Sequence, residues 1–393
     1  MNVTFLGGVN EYGRSCFHLQ MNQISLLVDC GIMKNETHAA KRYPLLTKEL
    51  AENLDAVFLT HSHEDHTAAL PHLYQLGFKG KIYATAATIN ETSRLFTPVC
   101  TRVVALDSFP RRRWLPFSAD TSLEFQYGYS GHTLGSIWFL FRLNGAQIFF
   151  SGDYSTESPV FIAEEPIIDQ PVDIAILDGA YGKETKAQHT YLNEIYRTID
   201  QALREKKKVL LHGPTYGKLQ DLLIYFQQYR TDFLERTVIS PEIAASFERY
   251  AQYPCNLKEP TLSNFAALSK QVRTTPLPAW LNDDEHSIGF VTEQELLHQF
   301  AAQRKENLLI LCTGPFLQDI LSLTDAVETT DYVQKRYKVH PGAAELRAQV
   351  QQLRPRKIIF SHSPNEKIKE LQKWFSALGE EVELACVGEK LRL

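Results

Sequence analysis

His61-Ser62-His63-Glu64-Asp65-His66 places three imidazoles and two carboxylates in one short run. It follows residues 55–60, an apolar stretch that reads as a buried strand. These side chains cannot all face one side of a regular strand or helix. The run therefore suits a loop at a strand end, where donors converge on one point. Neutral imidazole is a good zinc ligand, and a carboxylate completes a mixed nitrogen and oxygen set. A polar turn that happens to be rich in histidine is the bland alternative. The density of donors straight after a buried strand weighs against it. Alone, the cluster implies a metal-dependent hydrolase, and two ions need more ligands than this loop delivers.

Working outward, other polar residues sit at strand ends. His132 lies in Gly131-His132-Thr133-Leu134-Gly135-Ser136, before the apolar stretch 136–143. Asp153 lies in Ser151-Gly152-Asp153-Tyr154, after the strand 147–151. Asp29 closes the strand 24–28. Taken singly, each reads as a turn residue, with Asp29 as a strand-terminating acid that binds backbone amides.

Short strands at 3–6, 15–19, 24–28, 81–85, 122–127, 136–143, 147–151 and 173–177, with helices at 67–76 and 86–96, predict a sheet sandwich with outer helices. From about residue 181 the texture changes. Leu192, Ile195, Ile199 and Leu203 recur at helical spacing, as do Leu219, Leu222, Leu223 and Phe226. Thr292 and Glu295 form a capping box, and 209–211 and 308–312 read as buried strands. Helices alternating with such strands predict an open, largely parallel α/β sheet. Residues 254–285, proline-containing and weakly periodic, read as the most loop-like segment. Ala343, Leu346, Val350 and Leu353 then mark a helix, followed by strands at 357–360 and 383–386.

The 393 residues are 44% hydrophobic and carry a formal charge of −5, so two domains, or one with a large insertion, are expected. An acidic total exerts no global pull on nucleic acid, so such a partner needs a local basic patch. Arg111-Arg112-Arg113, Lys206-Lys207-Lys208 and 354–357 are short basic runs that each read as solvated surface. The six cysteines include no C-x-x-C pair, which points to a reducing cytoplasm rather than a disulfide scaffold. Residues 1–8 lack the pattern of a signal peptide. No apolar run approaches the roughly 20 residues of a bilayer span, since 136–150 is broken by Arg142, Asn144 and Gln147. A cytoplasmic protein with no membrane partner is the expectation.

Asp29, the histidine run, His132 and Asp153 fall in the order and contexts of the four shared motifs of the metallo-β-lactamase fold. Gly7-Gly8 followed by Glu11, Gly13, Arg14, Ser15 and Cys16 resembles the amino-terminal signature of the β-CASP nucleases. So do residues 80–85 and 131–136. That group includes ribonuclease J and the endonuclease of pre-mRNA cleavage and polyadenylation. The resemblance implies an α/β fold: a metallo-β-lactamase αββα sandwich at 1–181 and 336–393, with a β-CASP insert at 182–335 built on a parallel sheet with flanking helices. It matches the family's motif A to Asp178, motif B to His340 and motif C to His362. Gly217-Lys218-Leu219-Gln220 stands where a Gly-Arg pair is usual, and the loop at 313–317 lacks the usual second glycine pair. These departures lie where substrate should meet the insert.

The resemblance implies two Zn2+ ions, with Mn2+ as the alternative. His61, His63 and His132 would hold one, Asp65, His66 and His362 the other, with Asp153 bridging. Two ions roughly 3.5–4 Å apart can clamp a phosphodiester and supply hydroxide at neutral pH. Asp65, His340 and Asp178 form the catalytic set, with His340 as general acid or phosphate donor held by Asp178. Asp29 would orient a ligand histidine, and Glu64 is expected to point away. Lys218, His212 and Gly314 are candidate substrate contacts, although an ordinary strand-end role for His212 is the stronger reading. His18, His72 and His298 read as ordinary strand or surface residues.

The implied activity is hydrolysis of single-stranded nucleic acid. RNA is favoured because the DNA-repair branch carries an aliphatic residue at the position of His362. A small-molecule ester or thioester hydrolase on the same fold is the alternative, disfavoured by the long insert. A non-catalytic nucleic-acid-binding member is the other, disfavoured because every ligand position is filled. The end of the chain soon after 383–386 implies no further assembly domain, and a monomer and a dimer are equally open.

Overall fold

Strict alternation of apolar side chains builds the first unit of the fold, seen here in a computed structural model describing residues 1–95, 102–118, 122–283, 285–299, 307–314 and 330–392. Cys100 and residues 315–317 of the glycine-containing loop lie outside the described residues. This unit comprises residues 1–156, 163–185 and 340–393. Phe58 on the strand Ala56–Phe58 points inward, and its ring meets Phe125, Phe139 and Phe141 edge-on at 5.2, 5.3 and 5.0 Å. Its neighbours Val57 and Leu59 point the other way, to Leu70 and Leu73 of the helix Leu70–Gln75. On the facing sheet, Trp138, Leu140 and Phe149 turn outward onto Leu346 and Val350 of the helix Ala343–Leu353 and Leu371 and Phe375 of Asn365–Ser376. The period of two thus produces helix, sheet, sheet, helix. Emptying the centre with Phe58→Ala would cost about 3–5 kcal/mol.

Among the described residues the first sheet runs in the order Lys390–Arg392, Asn2–Gly7, Cys16–Met21, Ile24–Val28, Ala56–Phe58, Lys81–Ala84, Val103–Ala105. The second runs Lys357–Ser361, Ile174–Asp178, Ala146–Phe150, Ile137–Leu143, Leu123–Tyr129, Leu115–Pro116. Register positions the chemistry. Ile24–Val28 and Ala56–Phe58 are parallel, with Val28 beside Phe58, so Asp29 and the residues after Leu59 leave the sheet at one edge. Ala146–Phe150, Ile174–Asp178 and Lys357–Ser361 are also parallel, with Asp178 beside Ser361, so Asp153, Asp178 and His362 leave together.

The second unit comprises residues 157–162 and 186–339. Its sheet, ordered Arg273–Thr274, Thr237–Ile239, Ile288–Thr292, Lys208–Gly213, Leu308–Cys312, Thr330–Gln334, is parallel throughout. The capping box is formed: the Glu295 amide donates to Thr292 Oγ1 at 3.2 Å, and the Thr292 amide donates to Glu295 Oε2 at 3.0 Å.

Two expectations need correction. Residues 254–285 are not mainly loop, since the helices Thr261–Gln271 and Leu277–Asn282 occupy much of the segment. Pro260 and Pro276 stand at helix N-caps and Pro278 in a first turn, where a missing N–H costs nothing. Phe265, Leu268, Trp280 and Leu281 bury the inner faces. Residues 383–386 form no strand; Val382 makes one bridge to Ile358, and the final pairing is Lys390–Arg392 on Asn2–Gly7. No helix among the described residues is long and apolar enough to cross a membrane.

Candidate metal centre

Thr60 follows the apolar strand Ala56–Phe58 by two residues, and the chain then turns through His61 and Ser62 into a helical turn, Glu64–Thr67, with His63 as its N-cap. Asp65 and His66 therefore ride on a helix rather than the loop expected for the whole run. This turn is held against the preceding segments by backbone bonds. The Ser15 amide donates to Asp65 O at 2.8 Å and the Cys30 amide to His66 O at 2.8 Å. Gly31 makes that closeness possible, because a Cβ there would fall 1.6 Å from Asp65 O.

Asp29 adopts the left-handed conformation, φ 60°, which turns its carboxylate back under the cluster. It accepts hydrogen bonds from the Thr60 amide at 2.7 Å and the Thr60 hydroxyl at 2.8 Å. His66 Nδ1 donates to Oδ2, the oxygen that the Thr60 hydroxyl also reaches, at 2.7 Å. That bond fixes the proton on Nδ1 and leaves Nε2 as the free donor atom. Burial raises the pKa of Asp29 despite these partners.

The ring nitrogens converge. His61 Nε2 lies 3.1 Å from His63 Nδ1, and His132 Nε2 lies 3.3 Å from the same atom. The Asp153 carboxylate closes this group, its Oδ2 3.6 Å from His61 and 3.4 Å from His132. Its Oδ1 faces the other way, 3.3 Å from His66 Nε2 and 3.5 Å from His362 Nδ1. His362 Nε2 meets Asp65 Oδ2 at 3.0 Å. Beside them, His340 Nδ1 donates to Asp178 Oδ2 at 2.8 Å. Asp178 is anchored by the Tyr154 and Ala180 amides at 3.1 and 3.0 Å.

The electrostatics follow from burial. Burial lowers the pKa of His61 and His63, keeping both rings neutral with lone pairs available. Burial opposes charge on His66 and His362 too, but the carboxylate of Asp153, with those of Asp29 and Asp65 at His66 and of Asp178 and Asp65 at His362, outweighs it and raises both. Against its own burial, Asp178 is held at about 2 by His340.

The donor set fits divalent cations. Two groups have all their donor atoms within 4.8 Å of one another: His61, His63, His132 with Asp153, and Asp65, His66 with His362. Asp153, Asp178, His340 and His362 form a third such grouping that shares two of these residues. His63 Nδ1 faces the Nε2 atoms of both His61 and His132. A neutral imidazole nitrogen with one proton or one lone pair pairs well with only one of them, whereas a cation among the three accepts a lone pair from each. The buried Nδ1 of His362 has no hydrogen-bond partner. All donors are nitrogen or oxygen, as zinc and manganese accept.

The structure thus gathers His61, His63, Asp65, His66, His132, Asp153, Asp178, His340 and His362, with Asp29 behind them. Glu64 is exposed and lies 3.5 Å from Arg94. His18 is satisfied by Ser25 at 2.9 Å, and His72 stacks on Tyr43. Lys218, His212 and Gly314 belong to the second unit. There His212 is buried with neither ring nitrogen hydrogen-bonded, and a Cβ on Gly314 would fall 2.4 Å from Lys218 Nζ. Sequence reasoning missed Thr60, whose signal was its place next to the cluster. It also missed Tyr12, whose ring meets that of His362.

Known proteins resemble the chain in sequence and in fold. Residues 25–213 match a beta-lactamase superfamily domain. Over 267 residues the chain is 27% identical to transcription termination factor FttA of Methanothermobacter thermautotrophicus, covering 60% of this chain and 41% of the relative. It is 26% identical over 245 residues to endoribonuclease YSH1 of Gibberella zeae, covering 57% and 29%. It is 26% identical over 244 residues to cleavage and polyadenylation specificity factor subunit 3-I of Arabidopsis thaliana, covering 58% and 35%. The chain spans less than half the length of these curated relatives. A crystal structure of a protein of unknown function from Enterococcus faecalis shares the fold, with TM-score 0.60, 14% identity and coverage of 100% and 99% of the two chains.

Proposed function

We infer that this chain, which belongs to the metallo-β-lactamase superfamily and resembles its β-CASP branch, is a metal-dependent phosphodiesterase that cuts single-stranded nucleic acid, RNA in preference to DNA. The observation that carries the reading is the Asp153 carboxylate, which offers one oxygen to His61 and His132 and the other to His66 and His362. One acid serving two donor sets suits a pair of ions, zinc or manganese, held by His61, His63 and His132 and by Asp65, His66 and His362. Bound there, such ions would make hydroxide available at neutral pH and offset charge developing on a phosphoryl group.

The chain's own residues do the rest. Asp178 fixes the proton of His340 on Nδ1, so Nε2 is the atom that handles a substrate proton. A protonated His340 would deliver that proton to the leaving oxygen. Asp29 keeps His66 in one tautomer and one orientation. The histidine at position 362, where the DNA-repair branch is aliphatic, and the endoribonuclease named among the relatives favour RNA.

Labelled single-stranded RNA and DNA incubated with the chain, before and after metal removal, test this reading. RNA cleavage that disappears with chelator and returns with zinc or manganese is expected. Cleavage indifferent to chelator, or none of any strand with metal restored, would sink it.

A further inference from the structure

Residues 8–14 carry a side chain that the chemistry above does not use. Their loop is locked. The Gly8 amide donates to Glu11 Oε1 at 3.1 Å, and Arg14 grips both Glu11 oxygens at 2.6 and 2.9 Å. Arg14 also donates from its side chain to Tyr43 O at 3.2 Å and from its amide to Ile32 O at 2.9 Å.

Tyr12 stands on this loop with 44% of its surface exposed. Its ring meets that of His362 at 5.9 Å between centroids, with an interplanar angle of 88°. Its hydroxyl donates to Ala180 O at 3.2 Å and accepts from Lys367 Nζ at 2.7 Å, while Lys367 also donates to Ala180 O at 3.0 Å. A surface tyrosine normally samples several rotamers; this one is held at the backbone, by the perpendicular ring of His362 and at the hydroxyl. Lys367 Nζ is 5.4 Å from the ring centroid but 2.7 Å from the hydroxyl, so it sits off the hydroxyl end of the ring, and 44% of the residue stays exposed.

A fixed, exposed aromatic ring in contact with a candidate metal-side histidine, with an ammonium at its far end, matches one ligand chemistry. A nucleobase offers a flat face for stacking, and the phosphate joined to it offers oxygens for a lysine. Holding the ring in advance removes the ordering cost that binding would otherwise carry. We propose that Tyr12 is the platform on which the base flanking the cleaved linkage stacks, with Lys367 pinning that platform and meeting the adjacent phosphate. The site then selects nucleotides over simple phosphodiesters. This assignment rests on the nuclease reading above.

The experiment compares the metal-loaded wild-type chain with Tyr12→Ala and Tyr12→Phe on a single-stranded RNA. Base–aromatic stacking amounts to roughly ten- to hundredfold in affinity per base. Tyr12→Ala should raise KM by that factor with kcat and metal content little changed, and Tyr12→Phe, which keeps the ring, should restore KM. A single abasic residue moved along the strand should raise KM at one position in the wild-type chain and add nothing there in Tyr12→Ala. A 2-aminopurine at that position should be quenched on mixing, before turnover, by the wild-type chain and not by Tyr12→Ala. An unchanged KM in Tyr12→Ala, or the same abasic penalty in both chains, overturns the platform and leaves the nuclease reading standing. A metal-loaded wild-type chain that cuts no nucleic acid overturns both.

Discussion

Asp178 and His340 are 162 positions apart in the chain, yet Asp178 Oδ2 lies 2.8 Å from His340 Nδ1. The acid is almost fully buried and already holds two backbone amides, so its carboxylate cannot turn away from the ring. Asp178→Asn would present an amide that can donate to Nδ1 and so favour the other tautomer. We expect Asp178→Asn and His340→Ala each to lower kcat by roughly 10²–10⁴. The double variant should be little worse than either single one, because the pair acts as a unit. Metal content, measured by elemental analysis alongside kcat, should stay at the wild-type level. A loss of metal in Asp178→Asn would instead make Asp178 a ligand.

Asp29 lies 2.7 Å from His66 Nδ1, and the role proposed for it is to orient that ring. Asparagine tolerates the left-handed backbone at this position, so Asp29→Asn tests the carboxylate without straining the chain. Its uncharged oxygen is a weaker acceptor for His66 Nδ1–H, and the ring becomes less basic. Removing such a supporting acid typically costs about 10–100-fold in metal affinity. A chelator competition titration should show that loss with the thermal midpoint little moved. Unaltered metal affinity would refute the orienting role.

How much of this was legible in the sequence depends on range. The cluster at 61–66 was plain because its donors are neighbours, the strand before it because 55–60 is an apolar run, and the strand at 122–127 because Leu123, Phe125 and Tyr127 alternate with other residues. His340 and His362 were visible only through resemblance. Nothing local distinguishes a histidine before a helix from one that parallel pairing of Ile174–Asp178 with Lys357–Ser361 delivers to the same edge. Residues 254–285 misled because proline signals a break unless it starts the helix. Tyr12 gave no signal, since one exposed ring in a glycine-containing loop has no period. Its meaning lies in a contact with a residue 350 positions later.

The second unit carries a pH dependence of its own. Asp221, buried on the helix Lys218–Tyr229, accepts hydrogen bonds from Ser158 Oγ and Tyr337 Oη, both at 2.9 Å. Burial lifts its pKa from 3.8 to about 7 in spite of them. A folded-state pKa above the unfolded one means that the native state binds the extra proton. The stability it contributes is complete below about pH 4 and is lost as pH rises through about 7. That loss amounts to as much as about 4 kcal/mol. Asp221→Asn, neutral at every pH, should therefore melt close to the wild-type chain at pH 4.5 and several degrees above it at pH 8. Parallel melting curves across that range would show that Asp221 is not held protonated.

His362 offers the sharpest separation of the two donor sets. Its φ of 55° is a conformation that asparagine adopts readily, so His362→Asn removes the imidazole while sparing the backbone. The set of His61, His63 and His132 with Asp153 contains no atom of His362, whereas the set of Asp65 and His66 depends on it. If each set holds its own ion, His362→Asn should bind one metal per chain where the wild type binds two, and His63→Ala should lose the other. Cleavage should fall by at least about 10² in both variants, since two ions stabilise both the attacking and the leaving oxygen. Restoring RNA cleavage in His362→Asn by raising the metal concentration would be consistent with weakened binding. Full activity with a single ion would mean that one set alone supports the chemistry.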